Sequence, residues 1–315
     1  MTRRDRLLAA LVPMVWGLNF PATAFALAHW PPFLGGALRF ALLALPTVLF
    51  VPRPRVAWRW IIAMGMTLGV MQFGFLYLAM ALGMPAGLAS LVLQASAPFT
   101  VVLGVVLLRE KLILTRAFGV SLSVAGLVAI AVERAQPAAF LALALTLAGG
   151  FGWALGNICS RQARADKPLH LTLWMSIVPV APLFALSWVF DGPARIERAF
   201  ATALQPAALP ANLGLLYIVV FATVIGYGIW NTLLARYPSG QVAPWSMLVP
   251  IVGVLSSWLV FGEAPSPIEV AAGGLVVMGV LIASGAVRMP RWVAPDRPEE
   301  SPALLPDALD EAALS

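Results

Sequence analysis

The sequence predicts an all-α polytopic membrane protein: ten transmembrane helices in a 5+5 inverted-topology repeat, with both termini cytoplasmic. Three observations predict it: the composition, a series of ten apolar runs, and an internal match between the two halves. Of 315 residues, 61% are hydrophobic and only 11% charged, with a mean hydropathy of +0.90. A soluble domain carries about a quarter charged residues because its surface must be wetted. With less than half that share no water-facing shell can be built, which excludes a soluble enzyme, a nucleic-acid-binding module and a disulfide-stapled secreted domain. The single cysteine, Cys159, excludes an internal disulfide and a Cys-based zinc cluster.

A bilayer core about 30 Å thick needs roughly 20 apolar helical residues to cross it. That ruler picks out 7–28, 31–51, 60–82, 86–108, 115–132, 138–160, 170–190, 211–235, 240–261 and 268–287. The connections are short and carry breakers, such as Pro31-Pro32, Pro52-Arg53-Pro54, Gly83-Met84-Pro85 and Asp191-Gly192-Pro193. The pattern fails from Met289 onward. Five prolines and six acids in 289–315 predict a disordered, solvated cytoplasmic tail.

Charge placement gives the orientation, because basic loops stay cytoplasmic. With the N-terminus inside, the inner segments collect Arg3, Arg4, Arg6, Arg53, Arg55, Arg59, Arg109, Lys111, Arg116, Arg161, Arg164, Lys167, Arg236, Arg288, Arg291 and Arg297. The outer loops collect only Arg134, Arg195 and Arg198, and Arg39 lies within a run. A signal-peptide pattern also fits the first 24 residues. Cleavage there would leave nine spans and spoil the alternation, so the segment is taken as the first span.

The two halves match. Gly74 pairs with Gly226, Pro85-Ala86-Gly87 falls near Pro238-Ser239-Gly240, Glu110 pairs with Glu263 and Gly126 with Gly279. Pro98 and Pro250 correspond one residue out of step, and Trp16-Gly17 pairs more weakly with Trp153-Ala154. The expected repeats are 1–135 and 136–288. Five helices are an odd number, so the second copy enters from the opposite side. Secondary transporters use such inverted repeats and place their substrate near the midplane between the halves.

Further residues carry a resemblance. Trp16-Gly17-Leu18-Asn19-Phe20, Leu38-Arg39-Phe40, the Pro98…Glu110 and Pro250…Glu263 helix ends and the doubled five-helix plan resemble the EamA family of the drug/metabolite transporter superfamily. The stretches 83–95, 224–230 and 242–246 look like its members that export O-acetylserine and cysteine. The resemblance covers about residues 5–288. It implies a multi-pass protein of the cell inner membrane that exports amino-acid metabolites by alternating access.

Arg39 is the one charge well inside an expected span. A buried, unpaired guanidinium costs several kcal/mol, so it must have a partner. That partner is a substrate carboxylate gripped by the planar fork, or else helix-end carbonyls or the outer interface. Asn19 and Gln94 are the preferred polar contacts after Arg39, with Tyr77 and Tyr227 as hydroxyl companions. Helix-to-helix hydrogen bonds would satisfy such groups equally well. Trp16, Trp230 and Trp245 either wall a cavity or simply pack, whereas Trp30, Trp58 and Trp60 sit at run ends as an interfacial belt does. Glu110 and Glu263 end equivalent helices and are gates or local salt bridges, Glu110 being flanked by Arg109, Lys111 and Arg116. Gly65/Gly69 and Gly152/Gly156 have the spacing of close helix contacts.

No catalytic constellation, metal site or cofactor site is expected. There is no G-x-x-x-x-G-K-[ST] string, and His29 and His170 fall on opposite sides. A membrane-embedded enzyme would need acids, histidines or arginines gathered at one membrane face. A structural subunit would leave the repeat and Arg39 without reason. The expected partners are therefore a small zwitterion and the lipid bilayer, not nucleic acid. An exporter of drugs or lipids remains the competing expectation.

Overall fold

The computed structural model describes residues 1–110, 113–133, 137–237, 242, 245–283 and 285. The expected tail, Lys111, Arg134, Arg288 and the Pro238-Ser239-Gly240 turn lie outside the described residues. Among the described residues the chain is helical, with no strand. Eight helices are long and apolar enough to cross a membrane. They are α1 (Arg3–Leu27), α2 (Pro32–Phe50), α3 (Trp58–Ala81), α4 (Ala86–Leu108), α5 (Leu114–Glu133), α6 (Pro137–Ala163), α7 (Pro168–Asp191) and α9 (Pro206–Leu234). Two shorter apolar helices follow, α10 (Val249–Phe261) and α11 (Pro267–Ala283).

One helix falls outside the apolar runs. Between α7 and α9 the chain forms α8 (Pro193–Ala201), whose Ile196 and Ala199 are buried while its charges face out. A ruler that seeks 20 apolar residues passes over nine residues holding Arg195, Glu197 and Arg198. Under α8 lies Trp30, 5% exposed, with its indole N–H donating to Asn212 Oδ1 at 3.1 Å. It is a buried anchor and not the expected interfacial residue.

The helices depart from α geometry at matching places. Gly65–Gln72 in α3 and Ile218–Ile225 in α9 are both π-helical over eight residues. The straight segments Ser96–Leu108 and Val249–Phe261 have 13 residues each. Left-handed caps follow at Arg109 (φ 55°) and Gly262 (φ 70°), and the next helices start at Leu114 and Pro267. Each of these pairs is 153 residues apart. Pro250 is the second residue of α10, where a missing N–H breaks no helix bond, whereas Pro98 follows the 3-10 turn Leu93–Ala95 inside α4.

The neighbour relations pair up in the same way. Helix α1 packs against α9 and α10, and α6 packs against α3 and α4. Helix α2 lies along α7, α4 along α10, and α5 along α11. Small residues set these distances. A Cβ on Gly126 would stand 2.6 Å from the Ala272 carbonyl, and one on Gly279 would stand 2.5 Å from the Gly119 carbonyl, so α5 and α11 touch backbone to backbone. Gly65 and Gly69 receive Val178 and Pro179 of α7, while Gly152 and Gly156 of α6 lie against the π segment of α3.

Candidate functional site

Arg39 is carried by α2 and is 4% exposed. Its Nη1 donates to the Tyr77 hydroxyl at 3.0 Å and its Nη2 to Thr223 Oγ1 at 3.3 Å. The guanidinium lies over the Phe73 ring, with Cζ 3.8 Å from the centroid, a cation–π contact strengthened by desolvation. The Nε–H has no acceptor, and no carboxylate of the described residues pairs with the charge. The partners are therefore hydroxyls and an aromatic face. They are not the helix-end carbonyls that a purely structural arginine would cap.

The two π segments build this environment. A π turn bonds residue i to i+5 in place of i+4 and recurs at functional sites. Thr223 donates its hydroxyl to the Ile218 carbonyl at 2.9 Å, which turns a lone pair toward Arg39. Phe73 is the first residue after the α3 π segment, and Tyr77 lies one turn beyond it. Arg39 thus joins α2, α3 and α9. The guanidinium is held in place but not neutralised.

An aromatic group adjoins it. Trp16 of α1 donates its indole N–H to the Ala222 carbonyl at 2.9 Å. Its ring stands 5.1 Å from Tyr227 and 5.4 Å from Trp230, centroid to centroid. Gly226 permits this approach, since a Cβ there would lie 2.5 Å from Trp16 Nε1. Asn19, one turn after Trp16, buries its Oδ1 without a donor, and Gln72 Oε1 and Asn231 Nδ2 are likewise buried without partners. Buried polar atoms are rarely left so in hydrocarbon.

Trp245 joins this group at its edge: it packs, as Trp230 does, against the cluster of Ala9, Leu233 and Val242 near the start of α1. The other expected residues lie apart. Gln94 sits on a one-turn 3-10 break in α4, and its amide makes no hydrogen bond among the described residues. Glu110 pairs with Arg161 of α6, and among the described residues neither Arg109 nor Arg116 pairs with it. Glu263 accepts the Gly87 N–H at 3.4 Å, which caps the start of α4. Sequence reasoning missed Thr223 and Phe73. A hydroxyl inside the otherwise apolar run 218–225 was the available signal for Thr223, and nothing in the sequence marked Phe73.

A cavity of about 730 Å³ lies away from Arg39, between α4, α10 and α11. Gly87, Leu91, Val254, Leu255 and Gly273 line its length, with Glu263 and Glu269 toward one end. It is large and apolar. It holds none of the residues around Arg39.

The model of the EamA-like transporter family matches residues 6–132 and again 140–285. The chain belongs to that family. Family membership and the apolar helices make it a multi-pass membrane transporter. Among relatives in the family, a "Probable amino-acid metabolite efflux pump" of Escherichia coli (strain K12) is 38% identical, over 90% of this chain and 95% of its own. Its namesake in Salmonella typhimurium (strain LT2) is 39% identical over the same shares. A "Probable terminal-alkyne amino-acid exporter" of Streptantibioticus cattleyicolor is 27% identical, over 63% of this chain and 64% of its own. One crystal structure superposes with a TM-score of 0.58 at 20% identity, covering 90% of this chain and 97% of that one, so the two share a fold.

Proposed function

We propose that this protein exports small amino-acid metabolites, O-acetylserine, cysteine and related zwitterions, across the inner membrane by alternating access. The observation that carries this reading is Arg39: a buried cation with neutral partners and a free Nε–H. A substrate carboxylate is the anion it would meet, received by the unused edge of the fork. Tyr77 would add its hydroxyl hydrogen, and Trp16, Tyr227 and Trp230 would shield the pair from water. The names of the relatives at 38% and 39% identity agree with such cargo.

The transport cycle in this proposal rests on ten spans in two oppositely threaded halves. The matching π segments, caps and neighbour pairs, and the two stretches that match the family model, support it. Inward and outward states then arise as the halves exchange equivalent conformations around the Arg39 region. Both termini lie in the cytoplasm. Glu110–Arg161 and Glu263–Gly87 are contacts that would break and re-form at opposite ends.

The test is uptake of labelled O-acetylserine into liposomes that hold the purified protein. Wild type should transport, and Arg39→Ala should raise KM by about tenfold or more, the cost of losing a charge-assisted pair. Equal KM values for the two would end the carboxylate-anchor reading. The cavity between α4, α10 and α11 favours a second reading, export of lipophilic compounds. Overproducing cells discriminate: excretion of cysteine-pathway metabolites supports the first reading. Raised tolerance of lipophilic drugs with unchanged excretion supports the second.

A further inference from the structure

Asp191 is buried at the end of α7, 6% exposed, and nothing in the transport cycle above uses it. Its Oδ2 accepts the backbone N–H of Leu34 in α2 at 3.2 Å, and Leu34 is itself fully buried. The reason for this bond is written in the start of α2. The first amides of a helix have no acceptor within it, and Ser, Thr, Asp or Asn just before the helix supplies one. Here that position is Pro31, which caps nothing, and Pro32 follows with no N–H at all. The Leu34 amide therefore takes its acceptor from another helix. At the end of α7 a π turn over Ser187–Asp191, closed by Gly192 N–H to the Ser187 carbonyl at 3.0 Å, presents the carboxylate.

The far end of α2 is held by the same helix. Trp174 of α7 donates its indole N–H to the Val51 carbonyl at 3.0 Å, and His170 Nδ1 lies 3.0 Å from the Pro52 carbonyl. Between the ends, Gly36 lies against Leu183, and the Phe33 and Phe190 rings are 5.7 Å apart. Arg39 is five residues past Leu34, about 7.5 Å along the axis at 1.5 Å per residue. Its own partners, Tyr77 and Thr223, stand on α3 and α9. The depth and rotation at which α2 offers the guanidinium to them depend on what holds α2, and α7, which runs along α2 and binds both its ends, contributes most.

We propose that Asp191 is a positioning residue for Arg39. By capping α2 from α7, it fixes where the guanidinium is presented, and it makes α2 and α7 one unit that moves together through the cycle. This rests on Arg39 being the carboxylate anchor. A slip of α2 by one residue would turn Arg39 through about 100° and carry it off both hydroxyls.

The test again uses the full chain in liposomes and labelled O-acetylserine. Asp191→Ala should raise KM about five- to tenfold, the size of a lost helix cap, with the maximal rate nearly unchanged. Asp191→Asn keeps an acceptor for the Leu34 N–H and should return KM to near the wild-type value. A role in stability alone would lower the amount of folded protein and the maximal rate while leaving KM in place, which would overturn the proposal. A Phe33→Cys/Phe190→Cys pair in a Cys159→Ser chain provides a second measurement should the alanine variant not fold. Joining the pair with a short thiol cross-linker should leave transport intact. Transport that stops on cross-linking and returns on cleavage would mean that α2 and α7 separate, against the proposal. Wild-type vesicles that take up no O-acetylserine would bring down the anchor reading itself, whereas active wild type indifferent to Asp191→Ala would bring down only this inference.

Discussion

The Tyr77 hydroxyl stands 3.0 Å from Nη1 of Arg39, in a setting where both side chains are almost wholly shielded. A neutral oxygen accepts from the cation there, so the bond orients the charge without cancelling it. Removing that oxygen has a calculable effect. Tyr77→Phe keeps the ring contact with Phe73, 5.9 Å between centroids, and loses only the acceptor. A hydrogen bond to a charged group is worth about 1.5–3 kcal/mol. The expected outcome is a KM for O-acetylserine raised by about tenfold, with Thr223→Val acting in the same direction, measured as vesicle uptake.

The α5–α11 contact predicts a sharp positional effect. Gly279→Ala places a methyl 2.5 Å from the Gly119 carbonyl and the Ser123 amide, which are backbone and cannot yield. Overpacking of this kind costs about 1–3 kcal/mol or more. Gly274→Ala, on the same helix, meets nothing within 4 Å. Thermal unfolding in detergent should show a lowered midpoint for the first variant and none for the second.

The Glu110–Arg161 pair is exposed on both sides, 30% and 52%. Water and salt screen such a pair, and its worth to stability is about 0–1 kcal/mol. Arg161→Ala should therefore leave the unfolding midpoint almost unmoved. A gate contact would show itself elsewhere, as a changed maximal transport rate at unchanged stability. If neither quantity moves, the pair is ornamental to the cycle.

At the start of α1, Asp5 binds the end of α9. Its Oδ2 accepts from the Tyr237 hydroxyl at 2.5 Å and from Thr2 Oγ1 at 2.7 Å, while Arg236 Nη1 lies 3.7 Å from Oδ1. Tyr237→Phe removes a part-buried bond to a charged acceptor and should lower stability by more than the loss of the exposed Arg236 contact does. Arg236→Ala, whose side chain is largely exposed, should cost about 1 kcal/mol or less. Chemical unfolding of the two variants beside wild type measures the contrast.

How far the sequence can be read differs from residue to residue. Arg39 stood out because a charge amid apolar neighbours is rare in a membrane span and demands a partner. Which partner it found was hidden, because Thr223 is 184 positions away in the chain and Phe73 is 34 away. Trp30 was misjudged because its position at a run's end looks the same whether lipid or a short amphipathic helix covers it. The Glu110 partner was hidden in the same way: its basic neighbours in sequence do not reveal Arg161, brought in by another helix.

By itself the sequence determined that the chain is helical and buried in lipid, since backbone amides in hydrocarbon must bond within their own segment and apolar runs of fixed length allow little else. Local chemistry also determined helix starts and stops, where Pro31-Pro32, Gly192 and Gly262 leave few conformations open. Only the tertiary structure decided what the polar minority does. Whether Arg39 meets a hydroxyl or a carbonyl, and whether Asp191 caps α2, depends on which helices lie side by side. That choice is made by close contacts of small residues such as Gly119, Gly126 and Gly279, whose complementarity is a property of two surfaces and of neither strand of sequence alone.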